Sequence, residues 1–325
     1  MSQSSSQTSH PGRLGATSAL LFATVIFGAT FPISKFILAN MDALSMTLLR
    51  YGIAAPLFLL ILAWREGTAA LRPAGRSAQL FALGALGFGG FNLFMFYGVT
   101  MSRPEFGAIV MALQPLIAVL IGWARSGRRP AASSFIALLL ALLGVVLLST
   151  DGHIARLAEH AALLPILMMI LGGACWVLYS MGMASFPGWS PLRYTALSSS
   201  GGAIFLLLAW WGAHRLGFVR LPQPADWPAL APALLFVVLV GAVLAVLSWN
   251  MGIRAVGAQN GMLFINIVPL TALTVAVLRG QHFGLWELLG AALVLLSLLC
   301  NQLANRLLDA WPWRQRAAVA ASCQV

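Results

Sequence analysis

Residues 107–125, GAIVMALQPLIAVLIGWAR, return in altered form as residues 261–279, GMLFINIVPLTALTVAVLR. A gapless shift of 154 residues pairs Gly107 with Gly261, Pro115 with Pro269, Leu116 with Leu270, Ala118 with Ala272 and Arg125 with Arg279. Upstream, the same register pairs Gly87 with Gly241, Leu93 with Leu247 and Gly98 with Gly252. Apolar matches arise readily in an apolar chain, but three glycine pairs and a proline pair in one register do not. Nearer the start of each half, Leu49-Arg50-Tyr51 recurs as Leu192-Arg193-Tyr194, and Gly28-Ala29 as Gly173-Ala174. Their shifts are 143 and 145 residues, so the second half carries a longer loop, near 214–228. The chain reads as an internal duplication.

Both copies are built from long apolar runs. Of 325 residues, 60% are apolar and 8% charged, whereas a soluble domain has roughly 45–50% and about 25%. A water-soluble fold of this size could not cover its surface with so few charges. That excludes a soluble enzyme, a nucleic-acid binder and a disordered chain, and leaves an integral membrane protein. Nucleic acid is therefore not expected as a partner despite the net charge of +11, and the lipid bilayer is.

Apolar runs between polar breaks predict ten transmembrane helices, at roughly 14–38, 44–63, 77–98, 105–124, 131–149, 160–184, 192–212, 229–253, 259–279 and 284–304. The first continues through Pro32 to Lys35 without a small-residue cleavage site, so it reads as a retained span. The expected division is an N-tail at 1–13, five helices in 14–150, five more in 160–304, and a C-tail at 305–325. With the N-terminus inside, twelve basic residues fall on the inner side and six on the outer, with Arg50 inside a span. Basic residues favour the cytoplasmic side, so both termini are expected there. Trp311 and Trp313, among arginines, fit an interfacial anchor on that face.

Five spans per half is an odd number, so the second copy must enter the bilayer from the opposite side. Inverted-topology repeats are a common architecture of secondary transporters, with the site near the midplane where the halves meet. The three cysteines (Cys175, Cys300, Cys323) give no disulfide framework. The five histidines lie in tails or at span ends without a metal-binding pattern. No metal, cofactor or catalytic residue is expected, and a membrane-embedded enzyme would need a constellation that is absent.

The chain resembles the drug/metabolite transporter superfamily, EamA type. The likeness rests on Phe27-Gly28-Ala29-Thr30, Leu49-Arg50-Tyr51, and Tyr97-Gly98 through Gly107 to Gln114-Pro115-Leu116. The partners Gly252 through Gly261 to Val268-Pro269-Leu270 extend it, and it covers about residues 14–304. The resemblance implies an inner-membrane transporter of small molecules, with spans one, three, four, six, eight and nine around a central cavity. Exporters of amino acids, aromatic ones especially, look like the nearest kind. Exporters of nucleosides or lipophilic compounds stand as the alternative.

Mid-span polar and aromatic residues are the candidate substrate contacts: Asn92, Tyr97, Gln114, Trp176, Tyr179, Ser248, Trp249 and Asn266, with Asn250 nearby. Amides in hydrocarbon are costly unless they face the bundle or a wet cavity. Pro115 and Pro269 cannot donate to the carbonyls of Met111 and Ile265, so both are expected to kink their helices as cavity walls or hinges. Gly28, Gly98 and Gly252 join them as hinge candidates. The cluster Gly84, Gly87, Gly89 and Gly90 permits close helix approach or bending. Arg50, roughly 9 Å into span two, and Lys35 are expected to snorkel to the outer interface. The alternative for Arg50 is attraction of an anionic group, such as a substrate carboxylate. All eight acids fall in loops or at span ends, which argues for a neutral, zwitterionic or anionic cargo. Leucine-rich spans five and ten are placed at the periphery, with a homodimer contact as one use.

Overall fold

The computed structural model describes residues 11–127, 129–130, 132–150, 152–153 and 160–310. Trp311 and Trp313 lie outside the described residues, as does most of both expected tails. Within them the chain is helical, with no strand. The helical rods are α1 (Pro11–Leu38), α2 (Ala43–Glu66), α3 (Ser77–Thr100) and α4, which is the pair Pro104–Met111 and Gln114–Ser126. They continue as α5 (Ala132–Thr150), α6 (His160–Gly182), α7 (Pro191–Arg215), α8 (Pro224–Val256), α9 (Asn260–Leu278) and α10 (Leu285–Ala310). Helix α1 starts before the expected boundary at 14, and α10 runs past 304. By length and composition seven of these helices can cross a membrane, and an eighth if the bent pair of α4 is one span. The described apolar stretches of α5 and α10, Ala132–Leu147 and Leu285–Ser297, are shorter.

Local chemistry sets the ends. Asp42 precedes α2 in extended conformation and accepts from the Ser45 N–H at 2.8 Å. Ser190 does the same for the Arg193 N–H at 2.9 Å, with Pro191 in the first turn. Each cap satisfies a donor that a helix start leaves orphaned. Helix α4 breaks where Ala112 and Leu113 donate to carbonyls only three residues back, and its two segments meet at 43°. Pro115, at the start of the second segment, has no N–H to continue the ladder. In α9 the related Pro269 follows a tightened turn at Leu263–Asn266.

Wider turns appear in two places. Ala85–Gly90 in α3 and Phe236–Leu244 in α8 both wind with π-type turns. The shift of 154 residues superposes them, with Gly87 and Gly241 inside. Such segments leave the ordinary hydrogen-bond ladder out of step and recur at functional sites.

The packing repeats between the halves. Helix α1 packs on α8 and α9, as α6 packs on α3 and α4. Helix α2 packs on α7, α4 on α9 and α5 on α10. Exchanging the first five rods for the last five reproduces this pattern. Glycines permit the closest crossings. A Cβ on Gly84 would overlap the Ser198 carbonyl, and one on Gly87 the Tyr179 ring. The polarity is inside out: Leu60, Trp64, Leu139, Leu208 and Leu278 face outward, while Thr24, Arg50, Asn92, Gln114 and Ser198 are buried. An exterior of this kind is suited to acyl chains.

Candidate functional site

Helix α2 carries Arg50 two turns past its Asp42 cap, and the residue is only 4% exposed. The expected snorkelling of Arg50 is therefore corrected. The side chain turns into the bundle because the repeat-related wide turns offer it acceptors there. Nε donates to the Val237 carbonyl at 3.0 Å, inside the wide segment of α8. Nη1 donates to Asn92 Oδ1 at 3.1 Å, just after the wide segment of α3. Asn92 is fixed in turn, its Nδ2 donating to the Phe88 carbonyl at 2.9 Å and to the Tyr51 hydroxyl at 3.4 Å. Its repeat mate Arg193 stands in the first turn of α7, against the Trp189 ring and donating to the Arg72 carbonyl.

In front of Arg50 lies a narrow cavity. Helix α1 lines it with Phe27, Thr30 and Phe31, α2 with Arg50 and Tyr51, and α3 with Phe91, Met95 and Phe96. Met111 of α4, Trp176 of α6 and Val246 of α8 close it, so both halves contribute. Trp176 is the hub of the aromatic wall, with Phe91 at 5.1 Å, Phe27 at 5.9 Å and Trp249 at 6.2 Å between ring centroids. Its indole N–H is buried without a hydrogen-bond partner.

Behind that wall the second half builds a polar knot. Asn250 Nδ2 donates to the Tyr179 hydroxyl at 2.8 Å and to Thr195 Oγ1 at 2.7 Å. Trp249 Nε1 donates to Ser180 Oγ at 3.2 Å, and the Tyr194 hydroxyl to the Tyr179 carbonyl at 2.7 Å. Tyr179 and Trp249 are fully buried and support Trp176 from outside the cavity lining.

Of the residues singled out from sequence, Arg50 and Trp176 line the cavity, Asn92 is bonded to Arg50 without lining it, and Tyr179 and Trp249 stand directly behind. Others are elsewhere. Tyr97 is 37% exposed and lines a separate vestibule with Lys35, Asp42, Thr100 and Arg220. Lys35 is half-buried and does not simply reach for the interface; its ammonium donates to the carbonyls of Val99, Thr100 and Ser102 at the end of α3. Phe31 and Phe96, with rings 6.4 Å apart, sit one turn inward of Lys35 and Thr100, between vestibule and cavity. Gln114 is buried at the break of α4 against Gly173, both its amide atoms unpartnered. Asn266 is half-buried in the tightened turn of α9, and Ser248 is half-buried on α8 without lining the cavity. Pro115 and Pro269 are buried and line no part of it; the bend places Met111 there instead.

The hinge-candidate glycines all mark close crossings. A Cβ on Gly28 would stand 2.6 Å from the Val268 carbonyl oxygen, and one on Gly98 2.7 Å from that of Pro165. One on Gly252 would overlap Leu20. Glu105, placed at a span end, proves to be 1% exposed in the first turn of α4, 3.7 Å from Arg103 Nε. Among the described residues, no group of three or more His, Cys, Asp or Glu could hold a metal ion. The aromatic wall was underestimated from sequence. Phe27, Thr30 and Phe31 have the i, i+3, i+4 spacing of one helix face, and Phe91, Met95 and Phe96 a similar one.

A bundle that turns leucines outward, buries polar side chains and holds an aromatic cavity between matched halves is that of a multi-pass membrane transport protein. The chain belongs to the EamA-like transporter family, whose model matches it at residues 14–150 and again at 163–302. It is 30% identical over 299 residues to the uncharacterized transporter YrdR of Bacillus subtilis, covering 90% of this chain and 92% of that one. The uncharacterized transporter YyaM of the same organism is 28% identical over 282 residues, covering 86% and 91%. A solved crystal structure with 18% identity matches with a TM-score of 0.63 over 90% of this chain and 98% of the other, a likeness of fold.

Proposed function

We propose that the chain is a secondary carrier that exports small amphipathic metabolites across the inner membrane, foremost neutral and aromatic amino acids. The observation that carries this reading is the cavity itself, lined from both halves by phenylalanines, methionines and Trp176, with one buried cation at its edge. Aromatic and thioether walls suit a flat apolar side chain, and a few placed donors orient its polar end. The ten helical rods are read as ten spans in two inverted five-span repeats, with both termini cytoplasmic. The halves rock about the cavity, with the break before Pro115 and the tightened turn before Pro269 absorbing the motion and Gly28, Gly98 and Gly252 letting helices slide in contact. The vestibule at Lys35 then faces outward, with Phe31 and Phe96 as its floor. The exposed leucines of α5 and α10 offer the homodimer contact.

Uptake into liposomes holding the purified chain tests this, with a panel of aromatic, aliphatic and charged amino acids, nucleosides and lipophilic drugs. Saturable uptake of phenylalanine and other neutral amino acids is expected. Uptake confined to nucleosides or drugs would transfer the assignment to that cargo class. A carrier role is refuted if liposomes with correctly folded chain move nothing on the panel.

A further inference from the structure

Among the described residues, Arg50 is a buried cation with no anion paired to it. It is 4% exposed. Of its donors, Nε and Nη1 are taken by neutral oxygens, the Val237 carbonyl and the Asn92 amide. Nη2 has no hydrogen-bond partner among the described residues. The ion pairs there, Arg103–Glu105 and Arg103–Glu287, do not involve Arg50. A buried charge without a counter-charge is strongly unfavourable, and intramembrane charges of this kind mark ligand routes.

The rest of the cavity is unsatisfied in the same sense. Trp176 Nε1, on the α6 wall, is a buried donor without an acceptor. No carboxylate lines the cavity. Its unmet groups are therefore donors, Arg50 Nη2 and the indole N–H, and what they lack is an acceptor carrying negative charge. A side chain at Gly241 would crowd the Arg50 donor: a Cβ there would stand 3.3 Å from both Nη2 and Thr30 Oγ1.

We propose that Arg50 binds the carboxylate of the cargo through Nη2 at the edge of the cavity, while the aromatic wall takes the apolar remainder. This rests on the carrier reading and adds a cargo requirement to it. The carboxylate supplies the missing counter-charge through a charge-assisted hydrogen bond, and an amino group is not required for recognition.

Binding to the purified full-length chain, by titration calorimetry, tests this with four probes of one ring: phenylalanine, 3-phenylpropionate, phenylalaninamide and 2-phenylethylamine. The two carboxylates should bind at least tenfold more tightly than the amide and the amine. Arg50→Gln should erase that preference. Gly241→Ala keeps the charge and should weaken the carboxylates several-fold while leaving the amide unchanged, so it decides the matter if Arg50→Gln fails to fold. A wild type that favours the amine or amide, or a monodisperse Arg50→Gln or Gly241→Ala that keeps the full carboxylate preference, overturns the proposal. Uptake of other solutes by liposomes, with none of the four probes bound, sinks this inference and leaves the carrier intact. Absence of any uptake sinks both.

Discussion

Two arginines in one recurring tripeptide have different roles. Arg50 lies two turns inside α2 and Arg193 in the first turn of α7, because α2 is capped eight residues earlier by Asp42 and α7 only three residues earlier by Ser190. The first arginine therefore reaches the interior and the second stays at the rim on Trp189. Asn92 is the residue that makes the buried position tolerable, as acceptor for Nη1. Asn92→Leu leaves that donor unpaired and should cost about 1.5–3 kcal/mol, with transport falling at least tenfold. A detergent melting curve and initial uptake rates measure the two effects. Asn92, Trp176 and the amphipathic rings were legible as mid-span polar groups. Ser248, Asn266 and Tyr97 lie away from this cavity's lining, and the sequence does not separate them from Trp176 for a physical reason: spans apolar all round carry little periodic signal for which face turns inward. Depth can be read from such a sequence, but rotation cannot.

At the scale of the element, the glycines and wide turns determine how closely helices cross. Gly84 has the Ser198 carbonyl of α7 where its Cβ would be, whereas a Cβ on Gly122 would meet nothing within 4 Å. Gly84→Ala should overpack that crossing by about 1–3 kcal/mol or more and sharply lower the monodisperse yield. Gly122→Ala should be neutral or stabilise by up to about 1 kcal/mol. Size-exclusion profiles of the two variants, prepared side by side, check the contrast. The pairing of Gly87 with Gly241 and of Pro115 with Pro269 was visible in the repeat, and so was the break of α4. The wide turns were not, since π-type winding has no composition of its own; it appears once Arg50 and its acceptors are placed together.

Across the whole molecule, the main crossings in one half have counterparts in the other, and the pair α5–α10 lines no part of the cavity. Gly144 is the closest point of that pair: a Cβ there would lie 2.7 Å from the Gly290 carbonyl oxygen and 2.8 Å from Val294. Gly144→Leu should therefore reduce folded yield severely while the surviving fraction keeps the wild-type KM for uptake, since no lining residue moves. A changed KM would show that the pair belongs to the working site. The duplication was legible because glycine and proline rarely align by chance, and the low charge of the chain placed it in lipid. Which side chains meet at the centre was left open, because that depends on how the two halves fold onto each other.

The central claim is that this cavity, with a buried cation and no lining acid, carries neutral, zwitterionic or anionic cargo. Counterflow in liposomes tests it most directly, with labelled phenylalanine set against labelled phenyltrimethylammonium at equal internal and external concentrations of each unlabelled solute. Transient accumulation of phenylalanine well above that of the cation is the predicted result. Stronger exchange of the permanent cation would contradict it.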